Sequence, residues 1–350
     1  MAKGGSWVRG GEKASAMSKV LNSVWALVFG VSMLGVGARG AVAQGPGMMH
    51  GRMMGILPQW MGDEVPSAAK IQLGRMLFYD ARLSAAGDIS CNSCHDLQGY
   101  GVDGFPVSLG HKGQMGTRNS PSVYNAAGHV LQFWDGRALN VEEQAKGPVL
   151  NPVEMAMGSE AEVVLRLKNV PRYGQYFFAA FPGETDPITF DNMARAIGAF
   201  ERGLVTPSRW DRFLKGERGA ISQQEMRGHH EFMHNGCASC HNGIYLGGNS
   251  LQKAGIQSPW PEQDDVGRMA LTGLENDRIV FKVPSLRNVE KTAPYFHNGK
   301  VSSLEEAVRL MGRHQLGIEL EDRQALDIVS WLRSLTGVIP KDYIARPELP

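Results

Sequence analysis

Cysteine is scarce in this sequence, and neither sign of charge dominates. Only 4 of the 350 residues are cysteines, which excludes a disulfide-dense scaffold. Lys and Arg number 36 against 35 Asp and Glu, so the net charge is +1, and no long run of one sign occurs. The sequence therefore has neither a basic arm for nucleic acid nor an acidic solvating tail, and we expect no nucleic-acid partner.

Long apolar stretches are also missing, except near the amino terminus. The pattern there combines basic residues, an apolar run and small residues: Lys3, Arg9, Lys13, Lys19, residues 20–36 and Ala41-Val42-Ala43. It predicts a signal peptide over residues 1–43 and export to the periplasm, with no stable membrane span after cleavage. An uncleaved anchor is the alternative, because the run approaches the roughly 18 residues that span a membrane.

Residues 44–65 are unusually rich in methionine. Met48 and Met49 precede His50, and Met53 and Met54 follow it. Soft sulfur together with one imidazole could bind Cu(I), whereas a disordered tail is the simpler interpretation. We predict a flexible segment here.

Helical periodicity and helix caps dominate the rest of the chain. The predicted helices cover residues 66–79, residues 191–204, a stretch from Ser222 toward His234, a stretch that begins at Ser303, and residues 322–335. No strand pattern of comparable strength occurs, and 43 Gly and 18 Pro predict long loops. The predicted fold class is mostly α with long loops, and Thr206-Pro207-Ser208 is the predicted linker between two similar halves.

Each half contains one C-x-x-C-H motif. The first consists of Cys91, Cys94 and His95, and the second of Cys237, Cys240 and His241. In this motif two thiols attack the vinyl groups of a haem, and the adjoining imidazole ligates the iron. A four-cysteine zinc site is the alternative, but it does not require a histidine after each pair. Two c-type haems indicate electron transfer, redox catalysis or both, and the motifs alone do not choose among these.

The sixth iron ligands must come from other side chains. Met311 lies on the apolar face of the helix after Ser303, where a thioether ligand would raise the iron potential, although the spacing also suits a core methionine. His111 lies in a glycine-rich loop that could bring an imidazole to an iron or take it away, although it could equally be a surface histidine.

The mature sequence resembles the bacterial dihaem cytochrome c peroxidases, a family that includes the MauG-type enzymes. The resemblance depends on the stretches LGRMLFYDARLS (73–84), GTRNSPSVYNA (116–126), FWDGRA (133–138), GPVLNPVEM (147–155), FKVPSLRNV (281–289), TAPYFHNG (292–299) and LEEAVRLMGRHQLG (304–317). It implies two cytochrome c-like helical domains, residues 66–205 with the peroxidatic haem and residues 206–350 with the electron-transfer haem. It also implies hydrogen peroxide as substrate, a small cytochrome c or blue copper protein as electron donor, and a possible homodimer.

The same resemblance assigns roles to individual residues. His95 and His241 become the proximal iron ligands, Met311 the distal ligand of the second haem, and His111 a displaceable distal ligand of the first. Further matches are Gln144 and Glu154 at the peroxide site, Trp134 on the electron path, and Asn119 with the carbonyls of Thr292 and Pro294 at a calcium site. From the residues alone, Glu154 reads as an exposed side chain and Trp134 as core packing.

The resemblance leaves three classes of function to compare. MauG-type enzymes, which modify a protein or peptide, have a tyrosine where this chain has Met311, and this difference favours the peroxidase. A dihaem electron carrier without catalysis would not need an acid–base residue such as Glu154.

Overall fold

Helices dominate the secondary structure of residues 54–350, the part of the chain that this computed structural model describes. They are α1 (Ala68–Tyr79), α2 (Cys91–Cys94), α3 (Val141–Leu150), α4 (Glu160–Lys168), α5 (Tyr173–Ala180), α6 (Phe190–Glu201), α7 (Arg209–Leu214), α8 (Gln223–His234), α9 (Met269–Thr272), α10 (Leu304–Leu310) and α11 (Asp322–Ser334). A π-helix, Met311–Leu316, directly follows α10. Two short antiparallel strands, β1 (Leu251–Lys253) and β2 (Val280–Lys282), pair with Leu251 opposite Lys282. The prediction of a mostly helical fold with long loops is confirmed.

Side-chain caps begin the helices where the sequence predicted them. The Ser67 hydroxyl accepts a hydrogen bond from the Lys70 amide at the start of α1. At α8, Ser222 and Glu225 form a reciprocal capping box, each side chain accepting from the other residue's amide. The helix that begins after Ser303 is shorter than its apolar periodicity suggests, because the backbone changes to π-helix at Met311.

Two helix pairs cross at a glycine. A Cβ added to Gly74 of α1 would lie 1.8 Å from the carbonyl oxygen of Ala196 in α6. A Cβ added to Gly228 of α8 would lie 1.7 Å from the carbonyl oxygen of Asp327 in α11. Each crossing therefore requires the hydrogen of glycine, since any side chain would push the two backbones apart.

The buried apolar side chains form two large clusters. The first includes Leu73, Leu77, Phe78, Phe177 and Phe200 from α1, α5 and α6. The second includes Trp210, Phe232, Ile328, Trp331 and Leu332 from α7, α8 and α11. One helix pair thus contributes to each cluster.

Each end of the described region packs into the cluster formed by the opposite half of the chain, which the sequence pattern did not predict. Ile344, near the carboxyl terminus, is buried in the first cluster, and its carbonyl accepts a 2.7 Å hydrogen bond from the Tyr79 hydroxyl. Met54, near the amino end, is buried in the second cluster. The predicted domain boundary at residues 205/206 stays a prediction.

One expectation about a segment requires correction. The described part of the predicted flexible segment, residues 54–65, is anchored by two packed side chains: Met54 and Met61 are only 1% and 2% exposed. In the predicted linker, Thr206 and Ser208 are buried, and its role as a linker stays a prediction. The predicted signal peptide, residues 1–43, and residues 44–53 lie outside the described residues. Within 54–350, no helix combines the length and apolarity needed to cross a membrane.

Candidate haem and peroxide site

The first C-x-x-C-H motif opens onto a cavity of about 370 Å³. Nine residues that the sequence analysis singled out lie around it: Cys91, Cys94, His95, Asn119, Trp134, Gln144, Glu154, Thr292 and Pro294. They come from α2, α3, the loops that follow α2 and α3, and a loop of the second half. Tertiary packing thus brings together side chains that are up to 203 residues apart in sequence, Cys91 and Pro294 being the extremes.

The first motif has the geometry that attachment of a haem requires. Ser90 begins α2 with a capping box to Ser93, so the motif forms a helical turn that places both cysteines on the cavity wall. The Nδ1–H of His95 donates to the carbonyl of Gly101 at 3.3 Å, which leaves Nε2 as a free lone pair. Burial raises the pKa of the Cys91 and Cys94 thiols, so neither is a thiolate at neutral pH.

The second motif repeats this arrangement. A 3-10 turn, Cys237–Ser239, follows Gly236, whose φ of +89° is a left-handed conformation that glycine adopts without strain. The Nδ1–H of His241 donates to the carbonyl of Leu246 at 3.3 Å. Burial lowers the pKa of His241 to about 4 and raises that of Cys237 to about 11, so the imidazole is neutral and able to ligate a metal.

The two cysteine pairs do not converge on one metal. Among residues 54–350, no group of three or more His, Cys, Asp or Glu side chains could hold an ion. The alternative of a four-cysteine zinc site is therefore wrong.

A second internal repeat, which the sequence analysis missed, supports both histidines. Pro-Ser-x-x-Asn occurs at residues 121–125 and again at 284–288. The Ser122 hydroxyl donates to the carbonyl of Tyr100, and the Ser285 hydroxyl donates to the carbonyl of Tyr245, so each repeat ties down the loop after its motif. The short repeat itself was the available signal.

The two asparagines of this repeat meet at one residue. Asn125 and Asn288, both in the left-handed conformation, donate from their side-chain amides to the Thr206 hydroxyl at 2.8 and 2.9 Å. Thr206, in the predicted linker, is therefore where the two repeats join, and this explains its burial.

Glu154 lies on the cavity wall with an unusual environment for a carboxylate. Burial raises its pKa, although the nearby Arg137 and a hydrogen bond from the Asn151 side chain, 2.7 Å long, oppose the shift. The reading of Glu154 as an ordinary exposed residue is wrong. Gln144 lies on α3, the helix before Glu154, and lines the same cavity. Its side-chain amide can donate or accept a hydrogen bond there.

His111 is tied by its backbone to the acid that faces the cavity. Its amide donates to the carbonyls of Val153 and Glu154, at 2.9 and 2.8 Å. Gly110 lines the cavity, whereas His111 lies beside it with a buried Nδ1 that makes no hydrogen bond within the described residues. The structure thus places the backbone of His111 next to that of Glu154, and the direct approach of the His111 imidazole to an iron stays a prediction.

Trp134 connects the cavity to the second half of the chain. Its Nε1–H donates to the carbonyl of Asn119 at 2.9 Å, and its ring contacts Phe281 edge to face at 6.4 Å. It packs on a small cluster around Trp260 that also includes Met311. Trp134 therefore lines the cavity at the first motif and also packs on the cluster that Met311, the predicted distal ligand, contacts.

The predicted calcium ligands also meet at this cavity. Asn119 is buried, and its side-chain amide donates to the carbonyl of Phe105, so its Oδ1 is directed elsewhere and can accept a cation. Thr292 and Pro294 line the same wall. Amide and carbonyl oxygens are suitable ligands for a hard cation such as Ca²⁺.

The cavity wall also carries titratable side chains that were not predicted, among them Glu201, His129 and Lys282. Burial lowers the pKa of Lys282 to about 8, and its ammonium lies 3.2 Å from Nδ1 of His129. No local sequence signal marks these residues, because helix packing and the β1–β2 pair bring them to the cavity.

A mostly helical fold with paired C-x-x-C-H sites and an acid-lined cavity defines a class of haem enzyme, and comparison with known proteins identifies the family. A sequence profile described as di-haem cytochrome c peroxidase matches residues 68–219. A cytochrome c551 peroxidase of Nitrosomonas europaea is 47% identical over 277 residues, covering 78% of this chain and 82% of that protein. A cytochrome c551 peroxidase of Pseudomonas aeruginosa is 45% identical, covering 80% and 81%.

More distant similarity extends to the MauG branch. The methylamine utilization protein MauG of Methylorubrum extorquens is 33% identical, covering 80% of this chain and 81% of that protein. The crystal structure of a MauG-like protein associated with microbial copper homeostasis superposes with a TM-score of 0.74 at 30% identity, covering 83% and 97%. This chain belongs to the di-haem cytochrome c peroxidase family. It is a peroxidase with two haem cofactors, as the sequence predicted.

Proposed function

We propose that this chain is a periplasmic dihaem peroxidase that reduces hydrogen peroxide to water with electrons from a small cytochrome c or blue copper protein. The observation that carries the proposal is the convergence of Glu154, Gln144 and the first haem-attachment motif on one cavity. Export is supported by the amino-terminal pattern over residues 1–43. A homodimer is proposed from the family resemblance alone.

Both haems are proposed to be covalently attached, one in each of the domains 66–205 and 206–350. The two thiols of each motif would add across the vinyl groups of a bound haem and become thioethers. His95 and His241 then offer Nε2 to iron, because backbone carbonyls fix their Nδ1–H groups. Met311 is the proposed distal ligand of the second haem.

Acid–base chemistry at the first site is assigned to Glu154. A bound haem supplies an iron centre at which the oxygen–oxygen bond of peroxide can be cleaved with electrons from the donor. Glu154 takes the proton from one peroxide oxygen and returns it to the leaving oxygen, a role suited to a carboxyl group whose pKa burial has raised. The Gln144 amide orients the peroxide by hydrogen bonding.

Trp134 is proposed as the residue on the electron path between the two haem sites. Its contacts with the first cavity and with the cluster that holds Met311 support this role. Calcium at Asn119, Thr292 and Pro294 would stabilise the same region, because Asn119 accepts the Trp134 hydrogen bond through its backbone carbonyl. The ion would therefore influence the position of the indole ring.

His111 is proposed as a displaceable distal ligand of the first haem. Gly110 and Gly113 flank it, and Lys112 between His111 and Gly113 has a φ of +56°, so this loop already contains unusual backbone conformations. A MauG-like activity on a protein substrate is less well supported. The peroxidases compared above are 45–47% identical to this chain against 33% for MauG, and Met311 stands where MauG enzymes have tyrosine.

The test is the steady-state turnover of Glu154→Gln with hydrogen peroxide and a reduced small cytochrome c. Because a general acid–base group contributes about 10²–10⁴-fold, we expect a loss of that size with two haems still attached. Glu160→Gln is the matched control, since Glu160 is exposed at the start of α4 and should leave turnover unchanged. Turnover of Glu154→Gln within about threefold of the wild type would refute the assignment.

A further inference from the structure

Glu201 differs from every other buried carboxylate among residues 54–350. The buried acidic residues of this region are Asp80, Asp135, Glu201, Asp211, Glu225 and Asp327. Each of the others forms an ion pair with an arginine. Glu201 is 4% exposed and forms neither an ion pair nor a side-chain hydrogen bond within the described residues. A buried acid without a partner is costly, and such groups concentrate at functional sites.

The carboxyl group of Glu201 faces the cavity of the first haem site. Glu201 ends α6 and lines the same wall as Glu154, but the two acids lie near different cysteines. Glu201 lies close enough to Cys91, and Glu154 close enough to Cys94, for the ionised form of each acid to raise the pKa of the neighbouring thiol. The cavity therefore has a second acid. Glu201 lies near Cys91, whereas the proposed acid–base residue, Glu154, lies near Cys94.

A partly exposed carboxylate, Glu142, lies close enough to Glu201 for its charge to act on that residue. Glu142 of α3 accepts hydrogen bonds from Arg202 at 3.0 and 2.9 Å, and its side chain is 19% exposed. It packs over Gly198, where an added Cβ would lie 2.6 Å from its carboxyl carbon. Gly198 and Glu201 are three residues apart on α6 and therefore share a helix face, so the partly exposed Glu142 packs on the face of α6 that carries Glu201.

This environment keeps Glu201 protonated at neutral pH. Burial, with the adjacent charge of Glu142, raises the pKa of Glu201 to about 8, and the neighbouring Arg202 only partly opposes this. The ionisable groups that face Glu201 are thus Glu142 from α3, Arg202 at the end of its own helix and the Cys91 thiol of α2. Cys91 would become an uncharged thioether once a haem is attached.

We propose that Glu201 is a proton-relay residue that carries protons from solvent at Glu142 into the peroxide cavity. The proposal rests on the proposed peroxidase function. Reduction of one hydrogen peroxide to two waters consumes two electrons, which the donor protein supplies, and two protons, which must come from solvent. Glu154 shuttles a proton already on the peroxide and supplies no net proton. Glu201 releases its O–H proton to water in the cavity, and its carboxylate regains one from solvent by way of Glu142.

The first experiment measures the pH dependence of turnover in the haem-loaded enzyme. The wild type should lose activity above about pH 8 with a single ionisation, because Glu201 is then deprotonated. Glu201→Gln should lower turnover at about pH 7 by at least tenfold, less than the roughly 10²–10⁴-fold of a direct acid–base group, and abolish that ionisation. Its solvent deuterium isotope effect should rise. Glu143→Gln is the control, since Glu143 is exposed on α3 beside Glu142 and pairs with Lys146.

The second experiment observes protonation directly, without turnover. Infrared difference spectra between about pH 6 and pH 10 should show a protonated carboxyl band that titrates near pH 8 in the wild type and is missing in Glu201→Gln. Glu142→Gln provides a second variant, at a partly exposed position. Removing the neighbouring negative charge should move both the infrared titration and the loss of turnover to lower pH.

The outcomes separate the two proposals. Absence of peroxide turnover in the wild type would refute the proposed function, while the infrared titration would still report on Glu201. Turnover in the wild type together with an unchanged pH profile in Glu201→Gln, or an unshifted profile in Glu142→Gln, would refute the relay alone.

Discussion

The Cys91–Cys94 and Cys237–Cys240 pairs are followed by histidines that are held in the same way, yet the surroundings of the two motifs differ. Both imidazoles donate from Nδ1 to a carbonyl at 3.3 Å, and both motifs are supported by a Pro-Ser-x-x-Asn repeat. The first motif opens onto a cavity lined by two acids, Glu154 and Glu201. The face assigned to the second has Met311 within an aromatic cluster.

This difference shows which parts of the site determine chemistry. The shared motif can attach a haem and place one histidine, and it occurs in both halves. Reactivity depends on the opposite face, where acids and a cavity permit peroxide chemistry, and a thioether favours an electron carrier. We therefore expect the residues that packing brings to each motif to give the two similar sites different functions.

The largest expected effect comes from removing one cysteine pair at a time. Cys91→Ala/Cys94→Ala should retain one covalent haem and lose peroxide turnover, because the peroxidatic haem is no longer attached. Cys237→Ala/Cys240→Ala should also retain one haem but lose turnover with a donor protein. Haem content by pyridine haemochrome and haem staining of a denaturing gel measure this. Ser239→Ala, within the second motif, should keep both haems, and two haems in either double variant would contradict the assignment.

The next effect tests whether His111 closes the first site. In His111→Gly, the oxidised enzyme should bind cyanide rapidly and react with peroxide without prior reduction, because the distal ligand has gone. Lys112→Gly is the control, since glycine tolerates the φ of +56° at that position and His111 remains. Stopped-flow absorbance measures both rates. If the oxidised wild type is already as reactive as His111→Gly, the first site has no gate.

A substitution at Met311 should affect only the second site. Met311→His replaces a thioether by a stronger donor and should lower the potential of that haem alone, slowing turnover with the donor protein. Met311→Leu removes the ligand without replacing it and should let that iron bind cyanide. Spectroelectrochemical titration resolves the two potentials. The ligand assignment is wrong if neither potential moves in Met311→His.

A buried ion pair distinguishes the stability of the second half from that of the first. Arg287 and Asp211 lie 2.6 Å apart with side chains 1% and 2% exposed, whereas the corresponding residue of the first repeat is Tyr124, whose hydroxyl donates to the Leu97 carbonyl. Asp211→Asn should lower the free energy of unfolding by about 3–5 kcal/mol, because Arg287 is left buried and unpaired. Guanidinium unfolding measures this, and a loss below about 1 kcal/mol would show that the pair is not needed.

The same pair predicts a pH dependence. Burial alone would raise the pKa of Asp211, but Arg287 and hydrogen bonds from Leu57 and Ser208 hold it below its ordinary value. Its stabilisation is therefore present above the unfolded pKa of about 3.9 and is lost as the pH falls through the lower folded value. Asp211→Asn should lose less stability than the wild type on acidification through that range.

The smallest expected effect is a loss of unfolding free energy that should be similar for one helix crossing in each half. Gly74→Ala and Gly228→Ala each place a methyl group against a backbone carbonyl and should cost about 1–3 kcal/mol of unfolding free energy. Gly174→Ala in α5 meets no atom within 4 Å and should be neutral or stabilising by up to about 1 kcal/mol. Thermal or guanidinium unfolding of the three variants measures the contrast. If only one of Gly74→Ala and Gly228→Ala lowers the unfolding free energy, the two helix pairs are not equivalent.

Much of the local structure could be predicted from the sequence, because its causes are local. The Ser222–Glu225 box, the helical periodicity and the C-x-x-C-H spacing each involve residues within one or two turns. The buried linker at Thr206 and the packed methionines Met54 and Met61 could not be predicted in the same way. Their burial depends on partners far away in sequence, such as the two repeat asparagines that donate to Thr206.

The sequence by itself determined the two attachment motifs, the helices that precede them and, through resemblance, the family. Only the tertiary structure decided that Glu154 and Glu201 share one cavity, that Trp134 contacts both halves, and that one threonine joins the two repeats. The physical reason is that motif chemistry and helix formation depend on neighbouring residues. The pKa of a carboxyl group, in contrast, depends on which surfaces exclude water around it, and long-range packing alone fixes those surfaces.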